Sequence, residues 1–187
     1  MEGITVPRIG RRELIEASLA MAGTSSLCLA QSKRQRAPII APSGQTRVET
    51  GGPFVFKIAS ADTGGRYSII ESGAVAPPLH RHLHQDEWFY VVQGEFGFQV
   101  GTERFRLAAG GSVLGPQKVP HAFVGLGGTA SKLLILYEPA GKMEALFKEL
   151  SSLMVNGRLP SADRLAAVNL KYGLESVGPP LTADDFR

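Results

Sequence analysis

Between about residues 46 and 138 the chain keeps no helical period. Short runs rich in Val, Ile, Phe and Tyr alternate with turn clusters at Gly64-Gly65, Pro77-Pro78, Gln93-Gly94, Gly101-Thr102, Gly110-Gly111 and Gly127-Gly128. The runs read as strands at 53–59, 66–71, 87–93, 95–100, 103–107, 112–114, 121–124 and 131–137. Gaps this short leave no room for crossover helices, so the strands must pair antiparallel. That restricts the chain to an all-β barrel or jelly roll.

The period changes near residue 142. Met143, Leu146, Phe147, Leu150, Leu153 and Met154 recur at helical spacing, and Asn156-Gly157 is a stop. A second helix is expected after Ser161, with Asp163 in its first turn and Leu165, Val168, Asn169 and Tyr172 on one side. Gly173 ends it. Each helix has one apolar face, which must be covered by the barrel exterior or by a second subunit; a homodimer is expected. The plan is a β-barrel at 46–140 and a helical extension at 141–187.

The first 30 residues read differently. Arg8, Arg11 and Arg12 precede a weakly apolar stretch from Leu14 to Ala30 that closes on Cys28-Leu29-Ala30. This is the layout of a secretory signal, and Arg11-Arg12-Glu13-Leu14-Ile15 looks like a twin-arginine signal. Glu13 and Glu16 suit the other reading, an amphipathic helix that stays attached. The expectation is removal of residues 1–30 and a periplasmic or secreted protein, with a cytoplasmic one as the alternative. Residues 31–45 read as a linker.

Composition removes several classes. Cys28 is the only cysteine, so there is neither an intrachain disulfide nor a cysteine-based zinc site. No run of 18 apolar residues occurs, and no stable membrane span is expected. The net charge of +3 is scattered, with only Lys33, Arg34 and Arg36 clustered, so nucleic acid is not an expected partner.

The chemistry concentrates elsewhere. The chain has four histidines, and His80, His82 and His84 fall within five positions. Such clustering is a metal signal. In an extended strand His80 and His82 point the same way. Glu87 opens the apolar run Glu87-Trp88-Phe89-Tyr90-Val91-Val92, where a carboxylate is costly to bury unless it meets a cation. Singly, each residue has a plainer reading: His80 and His82 as solvent-facing polar groups on an edge strand, His121 as a satisfied core histidine. His84 shares parity with His82, but Gln85-Asp86 suggest that the chain is already turning; it is a candidate to support a ligand from behind or to substitute for one. Trp88, Tyr90 and Val92 are expected on the face opposite Glu87 as ordinary core. Phe96, Phe98 and Phe123 are candidates to line a pocket.

Two stretches resemble the paired motifs of the cupin superfamily. The first runs Gly73-Ala-Val-Ala-Pro-Pro-Leu-His80-Arg-His82-Leu-His-Gln-Asp-Glu87 and on to Gly94. The second runs from Gly110 through Pro116-Gln-Lys118-Val-Pro-His121 to Gly125. The first spacer is one residue longer than the family's, Lys118 stands for a turn glycine, and Gly125 stands for a terminal Asn. The resemblance covers roughly 46–138. It implies a jelly-roll β-barrel in which His80, His82, Glu87 and His121 hold one divalent transition metal. Mixed nitrogen and oxygen ligation admits Fe, Mn, Ni, Co, Cu or Zn.

Residues 77–95 are similar in particular to the quercetin-dioxygenase-like group of small bacterial cupins. This implies oxygen-dependent cleavage of a flavonol or another enediol or hydroxy-carbonyl molecule, with O2 as co-substrate and Glu87 as both ligand and general base. Two other readings stand beside it. One is a binding module for a small molecule. The other is a non-redox isomerase or lyase.

Overall fold

The alternation of apolar and polar residues along each run sets which face of each strand is covered, and the fold follows from pairing those faces. The computed structural model describes residues 37–73, 75–126 and 131–187. Residues 39–187 make one compact unit; of the unit before it only Ala37 and Pro38 are described, both exposed. The expected signal segment, with Arg11, Arg12 and Cys28, lies outside the described residues, as does the basic cluster Lys33, Arg34 and Arg36. From 37 to 45 the chain forms no helix or strand.

Among the described residues ten strands make two five-stranded antiparallel sheets of a jelly roll. In chain order they are β1 (Val55–Ile58), β2 (Ser68–Ser72), β3 (Pro78–His82), β4 (Asp86–Gln93), β5 (Glu95–Val100), β6 (Glu103–Ala108), β7 (Ser112–Gly115), β8 (His121–Gly125), β9 (Lys132–Glu138) and β10 (Leu174–Pro180). The first sheet runs β1-β2-β9-β4-β7 and the second β10-β3-β8-β5-β6. Among the described residues three α-helices accompany them: the single turn α1 (Ser60–Thr63), α2 (Met143–Leu153) and α3 (Ala162–Lys171).

Inward side chains of both sheets form one core. Phe56, Ile70, Phe89, Val91 and Leu133 come from the first sheet, and Phe96, Phe98 and Phe123 from the second. Fully burying each such side chain contributes about 1.5–3 kcal/mol. The core continues into the helices. Met143, Leu146, Phe147 and Leu150 of α2 and Leu165 and Val168 of α3 belong to the same cluster. Phe147 packs on Phe54, Phe56 and Tyr137, with ring centroids 4.2, 5.9 and 6.2 Å away. The apolar helix stripes are therefore covered by the sheets.

Three expectations need correction. The extension at 141–187 is not only helical, because Leu174–Pro180 returns as β10 and pairs with β3. Gly178, Pro179 and Pro180 hide it from propensity, but an edge strand tolerates proline. β3 was likewise absent from the strand candidates, since Pro77-Pro78 reads as a break. Trp88, Tyr90 and Val92 are not core. Glu87, Phe89 and Val91 are the buried residues of β4, and the alternate face looks outward. There Val92 is 41% exposed, and Leu114, which pairs with Trp88, is 47% exposed.

Candidate metal centre

Strand parity and register assemble the site. His80 and His82 both lie on the inner face of β3, and both are buried. β3 pairs with β8 so that His80 stands opposite His121. Glu87 comes from β4 in the facing sheet, flanked by Tyr137 on β9 and Gly115 on β7. The four buried ligand-type residues His80, His82, Glu87 and His121 place their donor atoms within 4.8 Å of one another.

Glu87 Oε2 is the shared point. It lies 2.9 Å from His82 Nε2, 2.9 Å from His121 Nε2 and 3.6 Å from His80 Nε2. The other ring nitrogens are each engaged. His80 Nδ1 is 2.7 Å from the Pro78 carbonyl, His121 Nδ1 is 2.9 Å from the Val119 carbonyl, and His82 Nδ1 is 3.1 Å from Gln85 Oε1. Each of these partners is an oxygen acceptor, so each Nδ1 carries the proton. A neutral imidazole has only one N–H. In a neutral ring with its proton on Nδ1, Nε2 turns a lone pair, not a proton, toward the carboxylate oxygen. His82 Nε2 shows the consequence directly, as a buried polar atom with no hydrogen bond despite its 2.9 Å approach to Glu87.

A cation resolves this arrangement. Metal–donor bonds of about 2.0–2.2 Å put adjacent donors about 3–3.5 Å apart, close to the 2.9–3.6 Å that separate Glu87 Oε2 from the three Nε2 atoms. Engagement of the remote ring nitrogen is also how metal-ligating histidines are oriented. The residues present thus fit a divalent transition metal.

The electrostatics are those of a carboxylate held ionised. Burial alone pushes the Glu87 carboxyl up. The His82, His121 and His80 rings around it outweigh burial and hold it well below the usual carboxylate range. Burial pushes the Tyr137 hydroxyl well up, and the charge of Glu87 and a hydrogen bond to it add to the effect. Tyr137 therefore stays protonated beside Glu87, its cross-strand partner.

His121 reaches the site through the turn 116–120. Lys118 holds a left-handed backbone, φ 65°, where the cupin motif has glycine. Its amide donates to the His82 carbonyl at 2.8 Å, and Gln117 N donates to Asp86 Oδ1 at 2.7 Å. Both bonds tie the turn to the loop after β3, so the lysine accepts the strained conformation and His121 is still delivered.

The other expected residues separate. His84 is exposed and takes no part in the cluster, because the chain bends at Leu83-His84 and strand parity ends there. Its expected supporting role falls to the neighbouring Gln85, which is buried and whose amide nitrogen donates to the Pro139 carbonyl at 2.7 Å. Phe123 lines the cavity beside the site, whereas Phe96 and Phe98 sit in the core behind it. Sequence reasoning missed Gln85, Tyr137 and Gly115. A Cβ at Gly115 would stand 2.8 Å from His121 Nδ1, so glycine there makes room for the imidazole. The only sequence signal for Gly115 was a Gly-Pro pair that reads as an ordinary turn.

His80 and Glu87 open onto a cavity of about 90 Å³. Ser72, Phe123, Ile135 and Tyr137 line it from the sheets, and α2, α3 and Leu174 close it. The two helices therefore roof the metal-ligand cluster.

Residues 66–137 match the family model described as Cupin domain. Among curated proteins the chain is similar to the uncharacterized protein MJ1618 of Methanocaldococcus jannaschii, 26% identical over 107 residues, covering 54% of this chain and 79% of that one. Among solved structures it is similar to KdgF from Halomonas sp., with 29% identity and a TM-score of 0.39, covering 42% of this chain and 75% of that one. TT1209 from Thermus thermophilus is 25% identical with a TM-score of 0.37, covering 41% and 75%.

Proposed function

On the match of residues 66–137 to the Cupin domain model, we propose that the chain is a metal-dependent enzyme, an oxygen-dependent dioxygenase acting on a flavonol-like or other enediol or hydroxy-carbonyl small molecule. The observation that carries the enzyme reading is that two ligand residues, His80 and Glu87, also line a partly open and mostly apolar cavity. A purely structural metal has no need of such a chamber. The oxygenase part is supported by the likeness of residues 77–95 to the quercetin-dioxygenase-like group.

In this reading His80, His82, Glu87 and His121 hold the metal. The chemistry supplied by a bound divalent ion is polarisation of a substrate oxygen and, for a redox-active metal, activation of O2 beside it. Everything else is done by the chain. The Nδ1 contacts of the three histidines fix their tautomers and ring directions. The Glu87 carboxylate, kept ionised, takes the proton of a substrate hydroxyl. Tyr137, the cross-strand partner of Glu87, stands beside that carboxylate with its hydroxyl protonated. The roof from α2 and α3 excludes water and strengthens each of these interactions.

Oxygen uptake tests the reading. Purified protein is assayed for bound metal, loaded with Fe, Mn, Ni, Co, Cu or Zn, and given a flavonol and simpler enediols with and without air. Uptake that follows metal loading supports the proposal. Anaerobic turnover at the same rate moves the assignment to a non-redox isomerase or lyase. Tight binding without turnover moves it to a binding module.

Two further parts of the proposal concern the whole protein. The twin-arginine-like segment supports export; intact mass from the cell envelope should then be short by about 30 residues. The outward apolar side chains Trp88, Val92 and Leu114 support a homodimer, checked by light scattering on the purified protein.

A further inference from the structure

The roof of the cavity has a composition that the metal ligands do not explain. α2 contributes Met143, Leu146, Phe147 and Leu150, and α3 contributes Leu165, all apolar. Asn169 interrupts this wall. It lies one helical turn beyond Leu165, on the same face of α3, and it is only 5% exposed. Burying an amide with an unmet hydrogen bond costs about 1–3 kcal/mol. Its nitrogen is satisfied, since Nδ2 donates to Ser176 Oγ at 3.2 Å. Its carbonyl oxygen accepts no hydrogen bond among the described residues. Ser176 is the cross-strand partner of His80, so the amide is moored beside the edge of the metal-ligand cluster.

Size and charge narrow the occupant. The cavity of about 90 Å³ is smaller than the roughly 150 Å³ apolar cavity known to admit benzene. A three-ring flavonol would therefore extend out beyond the roof. Among the described residues no lysine or arginine lines the cavity, so a phosphate group brought inside has no cationic side chain to pair with.

We propose that this cavity takes a compact, predominantly apolar molecule without a phosphate group, and that Asn169 selects it by accepting a hydrogen bond from its hydroxyl. The place of this molecule in a reaction rests on the metal-enzyme reading above. Its recognition by Asn169 does not, and the two can be tested apart.

The test uses three probes of one shape: isobutanol, isopentane and isobutyl phosphate. Dissociation constants are measured by NMR titration of the full chain, wild type and Asn169→Leu, with metal content recorded for each sample. Removing the acceptor should shift the isobutanol-to-isopentane ratio toward isopentane by about fivefold, the worth of one hydrogen bond. In metal-free samples isobutyl phosphate should bind more weakly than isobutanol to both proteins. Should Asn169→Leu not fold, Asn169→Ala reports the same ratio. A ratio unmoved by either variant overturns the role of Asn169, and isobutyl phosphate binding more tightly than isobutanol overturns the substrate class. A protein that takes up no metal when loaded, yet still sorts isobutanol from isopentane through Asn169, sinks the metal reading and leaves this one standing. A metal-loaded protein indifferent to Asn169 does the reverse.

Discussion

His82 Nδ1 lies 3.1 Å from the side-chain oxygen of Gln85, and the amide nitrogen of the same Gln85 donates to the Pro139 carbonyl at 2.7 Å. The second bond decides which end of the amide faces the imidazole. Gln85 must present oxygen, so His82 must carry its proton on Nδ1 and leave Nε2 for the metal. Gly141 makes this possible: a Cβ there would stand 2.5 Å from the Gln85 amide nitrogen.

Gln85→Leu should therefore weaken metal binding by about 10- to 100-fold, the usual cost of losing an outer partner of a ligating histidine. Gln85→Glu, which restores an acceptor for Nδ1–H, should recover part of that loss. Competition with a coloured chelator measures both, and wild-type affinity in Gln85→Leu counts against the relay.

Metal should stabilise the fold through four side chains and not through the remaining histidine. At a thousandfold excess over the dissociation constant, binding adds about 4 kcal/mol, or roughly 10 °C in melting temperature for a domain of this size. Chelator treatment should reverse the shift. His121→Ala should lose most of it, while His84→Ala, altered at an exposed side chain, should keep it. Differential scanning calorimetry with and without metal decides; a normal shift in His121→Ala would falsify the ligand set.

Gly115→Ala should act on the site from the opposite sheet. The added methyl meets the His121 ring at 2.8–3.0 Å, closer than ordinary contact, so the imidazole must move. Because ligand positions tolerate little displacement, metal affinity should fall by about tenfold or more. The variant should remain folded, with unchanged far-ultraviolet circular dichroism. Undiminished affinity means that His121 has more room than its packing suggests.

Lys118→Gly should stabilise the protein. A non-glycine residue at φ 65° costs about 1–2 kcal/mol. Glycine removes that strain but loses about 0.5–1 kcal/mol of unfolded-state entropy. The net gain should be somewhat under 1 kcal/mol, near 2 °C in melting temperature. A lower melting temperature shows that the lysine side chain contributes more than its backbone costs.

Much of this protein was legible without coordinates. Alternation and turn chemistry identified eight of the strands, because a strand half-buried in a sheet must alternate. Helical spacing from Met143 to Leu150 and from Leu165 to Asn169 identified α2 and α3, because one face of each had to be covered. The motif spacing named His80, His82, Glu87 and His121, which are the residues that the fold brings within 4.8 Å of one another. Tertiary structure alone decided the rest. β10 pairs with β3 across some 90 residues of chain, in a segment whose prolines argue against a strand. Gln85, Gly115 and Asn169 act through space on partners from other elements, so no local period marks them. His84 and Gln85 are adjacent polar residues in the sequence, and one bend in the backbone sends the first to solvent and the second beneath the metal ligand. Local pattern determines which face of an element is buried; only the packing of distant elements determines what that face meets.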